Sequence, residues 1–209
     1  MKKIFLAILS VFLIPNAFSQ SDENRFENRK TSGYYNITQA SVLMGIRKLS
    51  DQPMYYHNYP NVFVAPSVTM INGIIANEYV ALGIGVGVEF FEYTLFPVFF
   101  DFRRVFNDND VSPFFTLKIG YSIADIKKKY IDNHQPNNPN KPYFKNQGGF
   151  MLNPEIGVKI PMSENSDLLL TVAYRYQKIN TKDLQWTGHL NENETSMNLL
   201  SFGVAFMFR

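Results

Sequence analysis

Val80-Ala81-Leu82-Gly83-Ile84-Gly85-Val86-Gly87-Val88-Glu89-Phe90 places a large apolar side chain at every even position and Ala, three Gly and a Glu at the odd ones. A period of two is the signature of a β-strand with one greasy face and one small or charged face. The next two segments repeat it. Phe96, Val98, Phe100 and Phe102 alternate with Pro97, Phe99, Asp101 and Arg103; then Phe115, Leu117, Ile119, Tyr121 and Ile123 alternate with Thr116, Lys118, Gly120 and Ser122. In a soluble sandwich the second face is polar because water covers it. Here it holds glycines and isolated charges of both signs, which suits the crowded interior of a narrow barrel whose outside lies in lipid.

The pattern extends in both directions. A first strand is expected over residues 34–47, with Ala40, Val42, Met44 and Ile46 on one face and Gln39, Ser41 and Arg47 on the other. A second, over 62–74, has ambiguous facing, because Pro66, Asn72 and Gly73 interrupt it. Pro97 lacks a backbone donor and is expected near a rim or bulge of the fourth strand. A sixth strand sets Leu152, Ile156, Val158 and Ile160 against Asn153, Glu155, Gly157 and Lys159; a seventh sets Leu168, Leu170, Val172, Tyr174 and Tyr176 against Thr171, Ala173, Arg175 and Gln177. Leu200, Phe202, Val204, Phe206 and Phe208 form the last.

Eight such strands predict an all-β fold, an eight-stranded antiparallel up-and-down transmembrane β-barrel over residues 34–209. Loop lengths agree. With both termini on one side, the connections after strands one, three, five and seven lie on the far side, and residues 48–61, 124–148 and 179–196 make three of those four long. The near-side connections are all short. Long loops on one side only are a property of outer-membrane barrels.

Residues 1–19 have the build of a secretory signal peptide: Lys2 and Lys3, an apolar run over residues 4–14, a break at Pro15-Asn16, then Ala17-Phe18-Ser19. The run is too short for a transmembrane helix. Residues 20–33 are polar and read as a flexible leader. The whole chain has a formal charge of +2. Removing residues 1–19 takes away two lysines and no acid, leaving a neutral chain with no electrostatic case for nucleic acid. The absence of cysteine excludes disulfides, Cys–zinc sites and thiol nucleophiles.

The run from Asn72-Gly73 through Tyr79-Val80 to Gly87, then Phe96-Pro97-Val98-Phe99-Phe100-Asp101-Phe102-Arg103 and Pro113-Phe114-Phe115 with Gly120-Tyr121-Ser122, resembles the small OmpA-like outer-membrane β-barrel proteins (porin family) of Gram-negative bacteria. The resemblance covers residues 34–209 and implies location in the outer membrane after export, contact with outer-membrane lipid and lipopolysaccharide, and a monomer. The ending Phe206-Met207-Phe208-Arg209 looks like the aromatic-terminated signal of the barrel-assembly machinery, except that Arg209 follows the last Phe. No peptidoglycan-binding domain is expected after the barrel.

Inward parity selects Arg47, Glu89, Asp101, Arg103, Lys118, Glu155, Lys159 and Arg175 as a lumen charge network. Buried charges require partners, and eight strands leave an interior just wide enough for side chains. A filled, non-conducting plug is therefore expected over an ion path. His57, His134 and His189 fall in far-side loops without ligand spacing, so no metal or other cofactor is expected. Ser122 and Ser201 are candidate nucleophiles for a lipid-modifying hydrolase, but no G-x-S-x-G motif is present, and no catalytic role is assigned. A third reading is a secreted soluble barrel binding a small apolar ligand; it requires the charged face to point outward. Gly83, Gly85 and Gly87 are not a phosphate loop, since their spacing is two and no helix follows. Lys127-Lys128-Lys129 reads as a solvated loop segment, with lipopolysaccharide phosphates as a second reading. Tyr34-Tyr35, Tyr174 and Tyr176 fit interfacial girdles.

Overall fold

Alternating faces can be satisfied all round only if the sheet closes on itself, and it does. The structure, a computed structural model, describes residues 31–46, 62–91, 93–106, 111–124, 129–130, 143–184 and 190–209. Nine strands run in chain order: β1 (Gly33–Ile46), β2 (Val62–Asn77), β3 (Val80–Phe90), β4 (Thr94–Val105), β5 (Ser112–Ala124), β6 (Lys129–Tyr130), β7 (Tyr143–Ser163), β8 (Ser166–Leu184) and β9 (Leu190–Phe208). Each neighbour in sequence pairs antiparallel, β5 passes directly to β7, and β1 closes on β9 from Asn36↔Phe208 to Gly45↔Leu199. β6 is a two-residue flap on β7 and stands outside the ring. The ring is thus a closed eight-stranded antiparallel barrel, which leaves no open edge among its strands.

The near-end connections are tight. Asn77 Oδ1 accepts hydrogen bonds from the backbone N–H of Tyr79 (3.0 Å) and Val80 (2.9 Å), shaping the β2–β3 turn. Glu164-Asn165 turns β7 into β8, and the N–H of Arg209 donates to Asn165 O at 3.0 Å.

β2 has a definite facing: Ala65, Ser67, Thr69, Ile71 and Ile75 are buried in the barrel, while Val64, Val68, Met70 and Ile74 are exposed outside. Pro66, Asn72 and Gly73, which made its facing ambiguous in sequence, do not break the alternation, and Ile71 and Ile75 are large, apolar and inward. Pro97 stands three residues inside β4, and the β3–β4 ladder lapses there, between Val86↔Val98 and Glu89↔Leu95.

Two predicted loops are corrected. β7 begins at Tyr143, inside the expected 124–148 loop, and β8 and β9 remain paired out to Leu184↔Leu190, through most of the expected 179–196 loop. Beyond the apolar belt the outer face of these strands meets water, so the hydrophobic alternation fades while the backbone ladder continues. The outer face carries ion pairs instead, Lys178 with Glu194, and Lys182 Nζ with Glu192 Oε1 at 2.5 Å.

Glycines on the inner face make room for rings from neighbouring strands. A Cβ on Gly85 would overlap the ring of Phe99, and one on Gly83 would come within 2.6 Å of the Tyr35 hydroxyl. Packing large against small fills a narrow barrel. Gly85→Leu should therefore lower stability by about 1–3 kcal/mol through overpacking, measured as the urea midpoint at which the unboiled gel band shifts to its unfolded position. Adding Phe99→Ala in the same chain should restore part of the loss; no restoration would refute the ring contact as the cause.

The signal peptide, most of the leader, Arg47, the 48–61 loop, the three histidines, Trp186 and Lys127-Lys128 lie outside the described residues.

Candidate functional site: the barrel lumen

The odd positions of most strands, and the even positions of β5, converge on the lumen. Glu89, Asp101, Arg103, Lys118, Glu155, Lys159 and Arg175 are all buried there. They fall into clusters. In the middle, Lys118 Nζ lies 2.8 Å from Glu155 Oε2 and donates to Gln39 Oε1 at 2.7 Å. The Gln39 amide nitrogen donates to Glu155 Oε2 and to Thr171 Oγ1, both at 3.1 Å. This joins β1, β5, β7 and β8 across the interior.

Toward the far end Arg175 pairs with Glu89, which is 0 % exposed. Its other terminal nitrogen donates to Ser122 Oγ (2.9 Å) and Gln177 Oε1 (2.7 Å). The Gln177 amide nitrogen donates in turn to the carbonyls of Lys178 (2.8 Å) and Gly149 (3.2 Å), so the cluster is tied into the wall.

A third cluster holds Asp101 and Arg103, with Arg103 Nε 3.6 Å from Asp101 Oδ2 and the guanidinium 4.8 Å above the centre of the Phe114 ring. That stacking supplies a cation–π contact. The Tyr35 hydroxyl donates to Asp101 Oδ2 at 3.4 Å. A fourth, at the near end, pairs Arg209 Nη2 with Asp167 Oδ2 at 2.9 Å. Sequence reasoning missed Asp167, Arg209, Gln39 and Gln177 as network members. Asp167 lies one residue before the first position assigned to the expected seventh strand, and Arg209 reads as a departure from the usual ending. Both sit at odd positions in phase with Leu169 and Met207, and extending the parity would have found them.

The interior is not polar throughout, which corrects the expected polar lumen. Below the ion pairs lies an apolar floor that includes Tyr35, Ile37, Ile71, Phe99, Phe114 and Met151. Above them Leu95, Ala124 and Ile179 form a second apolar layer, with Phe91, Tyr93 and Met197 packed on it. Tyr34-Tyr35 cannot act as one girdle, because adjacent strand residues point to opposite faces: Tyr34 is 63 % exposed outside and Tyr35 is 0 % exposed inside.

Ser122 and Ser201 are buried in the lumen, away from the outer face. Ser122 is engaged by Arg175 and donates to Gln177 Oε1 at 2.9 Å. Among the described residues no group of His, Asp and Glu is placed to hold a metal ion.

The outer face is a continuous apolar belt. Phe96, Val98, Phe100, Ile119, Tyr121, Ile156, Leu170, Val172, Phe202 and Phe206 are all exposed on it, Phe100 to 70 %. On β7 it runs from Phe150 to Ile160, which at ~3.3 Å per residue and a tilt of ~40° gives a height of about 25 Å. That matches the apolar band of an outer-membrane barrel. At the near edge Asn36 and Asn72 interrupt it, bridged by a 2.7 Å hydrogen bond, and the Tyr34 hydroxyl donates to Asn72 Oδ1.

Inner charges, an apolar outside and closure of eight strands define the class: the chain has the fold of a small OmpA-like outer-membrane β-barrel. No protein-family model and no curated protein sequence matches it. Similar solved structures are Neisserial surface protein A (TM-score 0.57, 11% identity, 86% of this chain and 99% of that one) and the outer membrane protein AlkL in DMPC lipid bilayers (0.54, 13%, 90% and 94%). The outer membrane protein OprG from Pseudomonas aeruginosa is similar too (0.50, 12%, 87% and 97%). At such identities the likeness is one of fold.

Proposed function

We propose that this protein is an integral outer-membrane β-barrel whose lumen is plugged and does not conduct, and whose role is structural or surface-interacting, exercised through the far-side loops. One observation carries the reading: charged side chains point inward and a belt of large apolar side chains points outward. Soluble proteins rarely expose apolar patches beyond a few hundred Å², and lipid removes that penalty. The plug is supported by buried ion-paired clusters lying between two apolar groups in the lumen, Tyr35, Ile71 and Phe114 on one side and Leu95, Ala124 and Ile179 on the other.

The reading includes no enzymatic activity. A lipid hydrolase needs its nucleophile at the membrane rim with a base in reach, and the burial of Ser122 and Ser201 in the lumen does not favour it. A soluble carrier barrel would place Glu89, Arg103 and Lys118 outside. The proposed surroundings are outer-membrane lipid and lipopolysaccharide, with delivery by the barrel-assembly machinery reading the last strand of a monomer.

The test has two parts. Membranes from producing cells are fractionated, and the outer-membrane fraction is run on a denaturing gel with and without boiling. A boiling-dependent band shift in that fraction is expected; a soluble protein without the shift overturns the membrane reading. The purified barrel is then inserted in a planar lipid bilayer in potassium chloride. No stable current steps are expected, and reproducible steps would overturn the plug.

A further inference from the structure

Between the Glu89–Arg175 and Lys118–Glu155 pairs the lumen holds a partly open cavity of about 20 Å³, lined by residues of both pairs and by Thr69 and Asn153. Four oxygens on its lining residues have no hydrogen-bond partner among the described residues: Thr69 Oγ1, Glu89 Oε2, Asn153 Oδ1 and Glu155 Oε1. All four residues are at least nine-tenths buried. Buried polar atoms in folded proteins almost always have a partner, from the protein or from ordered water. We propose that this cavity is a hydration site, in which one tightly held water donates to the free carboxylate oxygens of Glu89 and Glu155 and joins the two ion pairs into a single unit.

Size and charge select the occupant. A cavity needs at least ~10–15 Å³ and two to four polar partners to hold a water, so this one takes one water and has no room for an organic ligand. Three of the four free atoms are pure acceptors, and Thr69 Oγ1 can both donate and accept. A double donor therefore satisfies two carboxylates at once, while its own oxygen accepts from the Thr69 hydroxyl. An anion would face two carboxylates. A metal cation would compete with Lys118 and Arg175, whose charges already balance Glu89 and Glu155 in the same cavity.

The consequence is coupling. Glu89 lies on β3 and Arg175 on β8, across the lumen from each other, while Lys118 and Glu155 lie on the paired neighbours β5 and β7, so one water would link a pair that spans the barrel to a pair on one wall. The site rests on the inward facing of Glu89 and Lys118 that the proposed function also uses, but the tests read different things: the gel and the bilayer report surroundings and conduction, the crystal reports the occupant of the cavity.

The decisive experiment uses the unmodified protein. Crystals are grown at a resolution that shows ordered water, once in sodium chloride and once with rubidium replacing sodium, with data collected at the rubidium edge. The expected result is one density peak within about 3.2 Å of at least two of the four oxygens, with no anomalous signal in rubidium. An empty cavity overturns the proposal. So does an anomalous rubidium peak, which would make the cavity a monovalent-cation site.

Discussion

Phe100→Lys lowers the stability of the folded barrel by about 2–4 kcal/mol, the cost of a lysine on the lipid face near the bilayer midplane. Phe100 is 70 % exposed and is flanked across the ladder by Ile84 and Ile119. It lies in the middle of its strand's outward series, with Phe96 and Val98 on one side and Phe102 on the other. The measurement is the urea midpoint of folding into lipid vesicles, followed by the unboiled band. Glu164→Lys, in the near-end turn, is the control and should change little. The prediction separates the two environments. In water an exposed Phe→Lys exchange is neutral or improves solubility, because no desolvation occurs. A variant as stable as the parent would therefore sink the lipid-facing assignment of the belt, whatever the fold.

Arg175→Leu has an expected cost of about 3–5 kcal/mol, the penalty for leaving a buried charge without its partner. Glu89 is fully buried and pairs with Arg175, and Ser122 and Gln177 lose a donor in the same change. The double variant Arg175→Leu with Glu89→Gln should recover most of the loss, since the stranded carboxylate is then gone. Urea midpoints of the single and double variants give the answer. Equal destabilisation in both would mean that the guanidinium acts through packing or through Gln177, and the ion pair would lose its central place in the lumen.

Much of this site was legible beforehand because parity is a local property. Glu89, Asp101, Arg103, Lys118, Glu155 and Arg175 follow from counting by two from the greasy face. The count stopped where one face no longer met lipid. The outward positions Asn180, Lys182, Glu192, Glu194 and Ser196 are polar, so this part of the paired β8 and β9 looked like a loop. The same reasoning assigned the inside a polar character, because it tracked the small and charged members of the inner face and passed over Tyr35, Ile37, Ile71 and Phe114. Those rings and branched chains are inward by parity too. Their role needs the facing glycines on other strands, such as Gly83 beneath Tyr35 and Gly157 against Phe114.

The strand count, the closed meander, the side on which the long connections lie and the direction each side chain faces are all contained in the one-dimensional order of residues. A two-residue period between contrasting environments writes itself into the chain. Partner choice across the lumen is different. Lys118 meets Glu155 diagonally on the neighbouring strand, with Gln39 reaching both from β1 across the lumen, and Arg175 meets Glu89 from the other side of the ring. Those encounters depend on the stagger of eight strands at closure. A shift of register by two residues would keep every side chain on its proper face and still give each charge a different neighbour.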